Sequence, residues 1–182
     1  MLEPVEILAG RYRLAPPSLR EAGDVLAMAQ DPEVQLWNQL TGVSDEQSAR
    51  AWCERWSDWN GGTSAQWVVI DAVEGKVLGT ISLFEIDMRN SSAETGYRVA
   101  PWARGQGIAT AALTSVADWT FGTLGLTRLQ LMHARENPAS CRVAEKSGFL
   151  FEGELRSSYR YGDDELHDEH LHARLATDPA AR

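Results

Sequence analysis

Residues 97–110 combine a strand, a proline, a glycine-bearing loop and the start of a helix, in an order typical of anion-binding turns. Gly105 and Gly107 have no side chains that would block a ligand, so backbone N–H groups can converge on an anion. A helix that begins near Ile108 directs unpaired N–H groups and its positive dipole end toward the same point. Arg104 adds a planar guanidinium that suits phosphate oxygens. The segment therefore predicts a phosphate site.

The spacing within this loop separates three kinds of phosphate site. A nucleoside-triphosphate loop needs Lys after its second glycine, and no Lys follows Gly107. A dinucleotide fingerprint needs a third glycine where Thr110 stands, and it occurs at the first strand–helix turn. The pattern Arg-x-x-Gly-x-Ala, formed by Arg104, Gly107 and Ala109, resembles the pyrophosphate loop of the GNAT superfamily of N-acyltransferases.

A second segment, residues 137–149, strengthens this resemblance. Asn137 is a favoured helix cap, Pro138 suits the first helical position, and Gly148 marks a helix stop before Phe149. The segment is similar to the second CoA-contacting segment of the RimJ/RimL-type N-terminal acetyltransferases. The resemblance covers residues 10–176 and includes three further stretches: Gly10-Arg11-Tyr12-Arg13-Leu14, Asp31-Pro32-Glu33-Val34 and Glu94-Thr95-Gly96-Tyr97.

The resemblance implies an α/β (α+β) GNAT fold, with a strongly bent mixed sheet of about 6–7 strands and about four helices. We expect one domain over residues 1–182, with its core in residues 10–176 and a flexible tail at 177–182. We predict strands at 11–14, 66–71, 77–84, 94–99, 128–133, 149–160 and 165–175. We predict helices at 18–30, at 44–59 from a Ser44-x-x-Gln47 capping box, at 108–121 and at 137–147.

The same resemblance implies acetyl-CoA as co-substrate. The expected CoA contacts are Val99, Arg104, Gly105, Gln106, Gly107, Ile108, Ala109, Thr110, Asn137, Ser140, Arg142 and Lys146. Pro101 cannot donate a ladder hydrogen bond, so strand pairing should stop beyond Val99 and leave backbone groups for the pantetheine arm. Arg104, Arg142 and Lys146 are candidates for a local positive patch.

A group that protonates the departing thiolate is needed for acyl transfer to an amine. Many GNAT enzymes place a Tyr four residues before the Gly of the Gly-Phe pair, where this chain has Ala144. The RimL-like pattern suggests Ser140 for this role, although its hydroxyl could instead bond nearby backbone. Asn137 should cap the helix, and the resemblance adds a CoA or water contact.

The general base is open at the level of sequence. The Glu that RimL-like proteins place after Gly-Phe falls at Tyr159 in this chain. Glu94 is the replacement candidate, unless it only pairs with an Arg such as Arg98; Glu85 and Asp87 are further options. A water chain could also suffice, because an α-amine with a pKa of about 7.7–8.0 is partly neutral near pH 7.

Aromatic residues are candidates for the acceptor side. Trp52, Trp56 and Trp59 share one face of the helix predicted over 44–59, as core packing or as a pocket wall. Trp37, expected in the preceding loop, and Tyr159 are predicted to contact the acceptor together with Glu94.

The remaining chemistry-bearing residues favour structural roles. His167 and His170 would point to opposite faces of a strand, and no third ligand is evident, so no metal is expected. Cys141 has no evident His partner and is interpreted as a small buried thiol. With Cys53 it makes two cysteines, too few for a disulfide scaffold, so both are expected to be reduced.

The net charge of −9, from 26 acidic and 17 basic side chains, disfavours a nucleic-acid binder. No apolar stretch is long enough to span a membrane and no leader pattern is present, so a cytoplasmic protein is expected. The leading hypothesis is direct attack of an amine, from a protein N-terminus or a small molecule, on acetyl-CoA in a ternary complex. The alternative is a non-catalytic module that binds acyl-CoA. A homodimer is left open.

Overall fold

The computed structural model describes residues 2–179, which form one eight-stranded sheet in the order β1-β2-β3-β4-β5-β6-β8-β7. The strands are β1 (Ile7–Ala9), β2 (Tyr12–Ala15), β3 (Ala65–Asp71), β4 (Val77–Asp87), β5 (Ser92–Val99), β6 (Arg128–Ala134), β7 (Leu150–Arg160) and β8 (Leu166–Leu175). The helices are α1 (Ala22–Ala29), α2 (Pro32–Trp37), α3 (Glu46–Trp56), α4 (Ile108–Gly122) and α5 (Pro138–Lys146). The predicted mixed α/β class is confirmed.

Two short elements raise the counts above the prediction. β1 has three residues and pairs with β2, too short for a periodic pattern to reveal. The expectation that Trp37 lies in a loop is wrong, because residues 32–37 form α2. Asp31 caps it through a bond from the Val34 N–H, Pro32 occupies its first turn, and Trp37 is its last residue.

The start and end of α3 also differ from the prediction. The capping box is one residue later than expected, with Asp45 as cap and Ser48 returning the bond. The helix ends at Trp56, one turn before Trp59. Trp59 is buried against Trp67, with ring centroids 4.7 Å apart, so it belongs to the core rather than to the helix face.

The sheet changes character between β5 and β6. All other neighbouring strands pair antiparallel, whereas β5 and β6 run parallel and pair at only three positions, from Ser92↔Arg128 to Glu94↔Gln130. The β4–β5 register ends at Val99, as predicted, with one further backbone bond from Ala100 N–H to the Leu78 carbonyl. Beyond Glu94 and Gln130, β5 and β6 therefore separate and leave a wedge between them.

α4 packs its buried face, including Leu113 and Val116, against the sheet.

Among the described residues, no helix is both long and apolar enough to cross a bilayer. At the carboxyl end, Asp178 accepts a hydrogen bond from the Leu175 N–H, so the expected flexible tail begins as a turn. Residues 180–182 of that predicted tail lie outside the described residues.

Candidate active site

The wedge exposes backbone groups of β5. Ala100 N–H donates to Leu78 on β4, and alternate residues of a strand direct their polar groups to the same side. Tyr97 and Val99 therefore direct their N–H and C=O groups away from β4 and into the wedge. Asn38 donates to the Tyr97 carbonyl at 2.9 Å, which leaves the N–H groups of both residues and the Val99 carbonyl for a ligand.

The first cavity, of about 560 Å³, opens between the glycine loop, α5 and the wedge; we call it the loop cavity. Eleven of the twelve expected CoA contacts line it: Val99, Arg104, Gly105, Gly107, Ile108, Ala109, Thr110, Asn137, Ser140, Arg142 and Lys146. Gln106 does not, because the loop turns it toward Tyr12, whose hydroxyl donates to the Gln106 carbonyl. Contact of these residues with CoA stays a prediction.

Both glycines of the loop have left-handed backbone, with φ of 77° at Gly105 and 76° at Gly107. Gly107 precedes α4 without a side-chain cap, so the first N–H groups of the helix point into the loop cavity. Arg104 is bound to Asp31 and Glu33, which partly neutralises it. Arg142 and Lys146 form no ion pair among residues 2–179, and they leave the cavity locally positive.

The amino end of α5 forms one wall of the loop cavity. Asn137 caps the helix as predicted, since its side-chain oxygen accepts from the Ser140 N–H at 3.2 Å. The Tyr97 hydroxyl reaches the Ser140 carbonyl at 3.5 Å, and burial raises the pKa of Tyr97 to about 12. The Ser140 side chain lines the cavity, and its hydroxyl has no hydrogen-bond partner among the described residues.

A second cavity, of about 790 Å³, lies beyond the wedge and includes Trp52 and Trp56 in its lining; we call it the tryptophan cavity. The predicted acceptor residues Trp37, Glu94 and Tyr159 line it. The three tryptophans predicted to share one helix face are divided: Trp52 and Trp56 wall this cavity and Trp59 fills the core.

Glu94 lies at the last position where β5 pairs with β6, just before the wedge. Gln130 donates to its carboxylate at 3.3 Å. Burial raises the pKa of Glu94, and the carboxylates of Glu85 and Glu169 raise it further. The proposed alternative, a pair with Arg98, is not formed. Arg98 instead donates to the carbonyls of residues 38 and 39.

Sequence reasoning missed Tyr161, Glu169 and Asn38 in this region. Tyr161 lines both cavities and donates to Glu169 at 2.9 Å, and Asn38 also lines both. Burial and the Glu169 carboxylate raise the pKa of Tyr161 above its usual value. Asn38 follows α2, and Tyr161 and Glu169 belong to the hairpin of β7 and β8. These segments are far apart in the chain, and only the folded structure brings them together at the wedge. The two cavities therefore meet at a polar junction.

The sequence predicted no metal site because it showed no third ligand near His167 and His170, and the structure contradicts that premise. His167 contacts Asp163 and Glu136, away from His170, as predicted. His170, however, lies with three further ligand-bearing side chains, His133, His172 and Cys141. The sequence spacing hid them because they come from three different elements.

Gly162 fixes the hairpin of β7 and β8 to α2. Its N–H donates to the Leu36 carbonyl, and a Cβ added there would lie 1.9 Å from the Gln35 carbonyl oxygen. We expect Gly162→Ala to lower the free energy of unfolding by about 1–3 kcal/mol. Gly153→Ala, with open space around the added Cβ, is the matched control and should stay within about 0.5 kcal/mol. Urea unfolding measures both, and equal stability of the two variants would contradict this contact.

A family model described as an acetyltransferase (GNAT) domain matches residues 11–150. The chain belongs to the GNAT acetyltransferase family. This GNAT chain is 32% identical over 102 residues to the ribosomal-protein-serine acetyltransferase of Escherichia coli, covering 56% of each chain. It is 31% identical over 99 residues to the spermidine N(1)-acetyltransferase of Vibrio cholerae, covering 52% of this chain and 57% of that one.

Among solved structures, RimJ of Mycobacterium smegmatis in complex with a CoA disulfide matches with a TM-score of 0.84 and 26% identity. The match covers 98% of this chain and 89% of that one. The resemblance to RimJ/RimL-type enzymes is therefore confirmed. The chain spans about half the length of several curated relatives that it matches.

Proposed function

We propose that residues 10–176 act as one acetyl-CoA-dependent N-acetyltransferase domain that modifies a primary amine by direct attack. The observation that carries this proposal is the junction of the loop cavity and the tryptophan cavity at the wedge, with the half-buried carboxylate of Glu94 in the lining of the second cavity. Such a junction holds a donor and an acceptor side by side, and proximity alone supplies a large part of the rate.

The loop cavity fits coenzyme A on chemical grounds. The first N–H groups of α4, together with Arg142 and Lys146, suit a diphosphate. The N–H and C=O of Val99 suit an amide-bearing arm laid along the open edge of β5. Acetyl-CoA supplies an acetyl thioester at the wedge, where an N–H of Tyr97 or Val99 can stabilise negative charge on its oxygen.

Glu94 is the proposed general base. It lines the tryptophan cavity at the wedge, and its raised pKa improves its match to proton removal near neutral pH. Ser140, on the other wall, is the proposed donor to the departing sulfur. These two roles, with Asn137 holding the first turn of α5, need no acyl-enzyme.

The tryptophan cavity favours the terminal amine of a peptide as acceptor. Its aromatic walls, Trp52, Trp56 and Tyr159, suit the side chains of the first residues, and Glu94 with Glu169 suits the ammonium group. One relative is named for ribosomal-protein serine and another for spermidine, which supports comparing a peptide acceptor with a small amine.

Release of free CoA tests the function. We expect turnover with acetyl-CoA and a peptide carrying a free N-terminus, and none with the same peptide already N-acetylated. Faster turnover of spermidine would reassign the acceptor to small amines. Binding of acetyl-CoA without turnover of any amine would favour the alternative, a non-catalytic acyl-CoA module.

Ser140→Ala should lower kcat by about tenfold to 100-fold, because the thiolate would leave without a proton donor. The affinity for CoA should change by less than about twofold, since the cap from Asn137 uses only the Ser140 backbone. Ser115→Ala, a partly buried α4 serine outside both cavities, is the control. Steady-state kinetics with calorimetry measure both effects. Equal kcat in parent and Ser140→Ala would remove this role.

A further inference from the structure

Three imidazoles and a thiol converge where β6, β8 and α5 meet. The group consists of His133, His170, His172 and Cys141, and its ligand atoms all lie within 4.8 Å of one another. The register places His133 opposite His170, and His172 is two residues further along the same face of β8. α5 brings the Cys141 sulfur within 3.8 Å of His172 Nε2.

Several nitrogen atoms of this group are buried without a partner. His133 is 5% exposed and His172 is 0% exposed. Among the described residues, His133 Nε2, His170 Nδ1 and His172 Nδ1 form no hydrogen bond. Since burying an unpaired polar group costs free energy, His133 Nε2 and His170 Nδ1 indicate a missing ligand, and His172 presents its other nitrogen, Nε2, to Cys141.

In metal-binding histidines one ring nitrogen contacts a carbonyl or carboxylate oxygen and the other faces the metal. His133 and His170 have this arrangement. His133 Nδ1 donates to the Ala134 carbonyl at 2.8 Å, which leaves Nε2 as a lone-pair donor facing the group. His170 Nε2 lies 3.6 Å from a carboxylate oxygen of Glu154, which leaves Nδ1 facing inward.

We propose that His133, His170, His172 and Cys141 form a binding site for one Zn²⁺ ion per chain. Three imidazole nitrogens and one thiolate are a donor set typical of tetrahedral zinc. On binding, the Cys141 S–H bond breaks, its proton leaves to solvent, and the thiolate forms a bond to the ion. Glu145 and Glu154 flank the ligands and offset the added positive charge.

Four protein ligands make this a closed, structural site. The ion joins α5 to β6 and β8, and α5 carries Asn137 and Ser140 on the wall of the loop cavity. The metal therefore holds that wall in place without touching an acceptor. His133 also lines the loop cavity, so the site borders the proposed CoA site, but its test needs no acetyl transfer.

Titration of the full chain with Co²⁺ tests the site directly. After purification with a chelator, we expect one Co²⁺ per chain, with intense tetrahedral d–d bands and a thiolate-to-cobalt charge-transfer band, both removed by Zn²⁺. Cys141→Ser should abolish the charge-transfer band. Cys53→Ser should retain it, because Cys53 is buried on α3 and burial raises its pKa to about 11.

A pair of histidine variants provides the second control. His170→Gln should weaken Co²⁺ binding at least tenfold, whereas His167→Gln, outside the group, should leave it unchanged. Zn²⁺ should also slow alkylation of Cys141 in the parent chain, a measurement that needs no variant. Absence of the bands in the folded parent, or their persistence in Cys141→Ser, would overturn the proposal.

Discussion

Gly107→Val is expected to lower the affinity for acetyl-CoA about 100-fold. A branched side chain at this position would lie at the amino end of α4, where the first N–H groups of the helix point into the loop cavity. Charge-assisted hydrogen bonds contribute about 1.5–3 kcal/mol each, so losing one or two of them gives a change of this size. Isothermal titration calorimetry measures the affinity directly.

The chain offers a matched control for backbone strain. Gly125 has φ of 70°, close to the 76° of Gly107, and a Cβ would meet nothing within 4 Å at either position. Gly125 lines neither cavity, so Gly125→Val should share the strain but keep the affinity for acetyl-CoA. Similar affinities in two folded valine variants would refute the phosphate-binding role of the loop.

Glu94→Gln is expected to lower kcat by about 100-fold or more, the usual contribution of a positioned base. The amide keeps the size of the side chain and can still bond Gln130, so the fold should be preserved. Glu54→Gln, an exposed change on α3, is the control and should keep the parent rate. Stopped-time assays with a peptide acceptor and acetyl-CoA compare the three proteins.

The pH dependence of the parent enzyme gives a separate signature of Glu94. A base works only when deprotonated, so kcat/KM should fall as the pH falls through its pKa. Because burial raises that pKa, the fall should occur at a higher pH than for an ordinary glutamate. In Glu94→Gln this acid limb should disappear. An unchanged limb in the variant would assign it to another group.

Local sequence signals predicted the parts of the site that are contiguous in the chain. The glycine loop with the start of α4, and Asn137 with the start of α5, are defined by backbone conformation and capping within a few residues. Pro101 predicted that strand pairing ends beyond Val99, and the β4–β5 ladder does end there. The separation of β5 from β6 after Glu94 could not be predicted in this way, because β6 is distant in the chain and no local sequence signal indicates where their parallel pairing ends.

Residues brought together over long separations were the ones missed. Tyr161 reaches the junction only because Gly162 lets the distant hairpin pack against α2. The histidine and cysteine group joins three elements, so the spacing of His167 and His170 within one strand gives no sign of it. Trp59 was assigned to α3 because helical spacing continued past the true helix end, where packing against Trp67 decided its place.

The short parallel ladder between β5 and β6 also has a mechanical consequence. The sheet's two halves, β1–β5 and β6–β8–β7, are hydrogen-bonded to each other through only three residue pairs. We therefore expect the two halves to move slightly about that line, and a molecule that contacts both edges to restrict this motion. Amide hydrogen exchange at residues 128–130 should slow when the wedge is filled, while exchange within the long β3–β4 ladder stays the same.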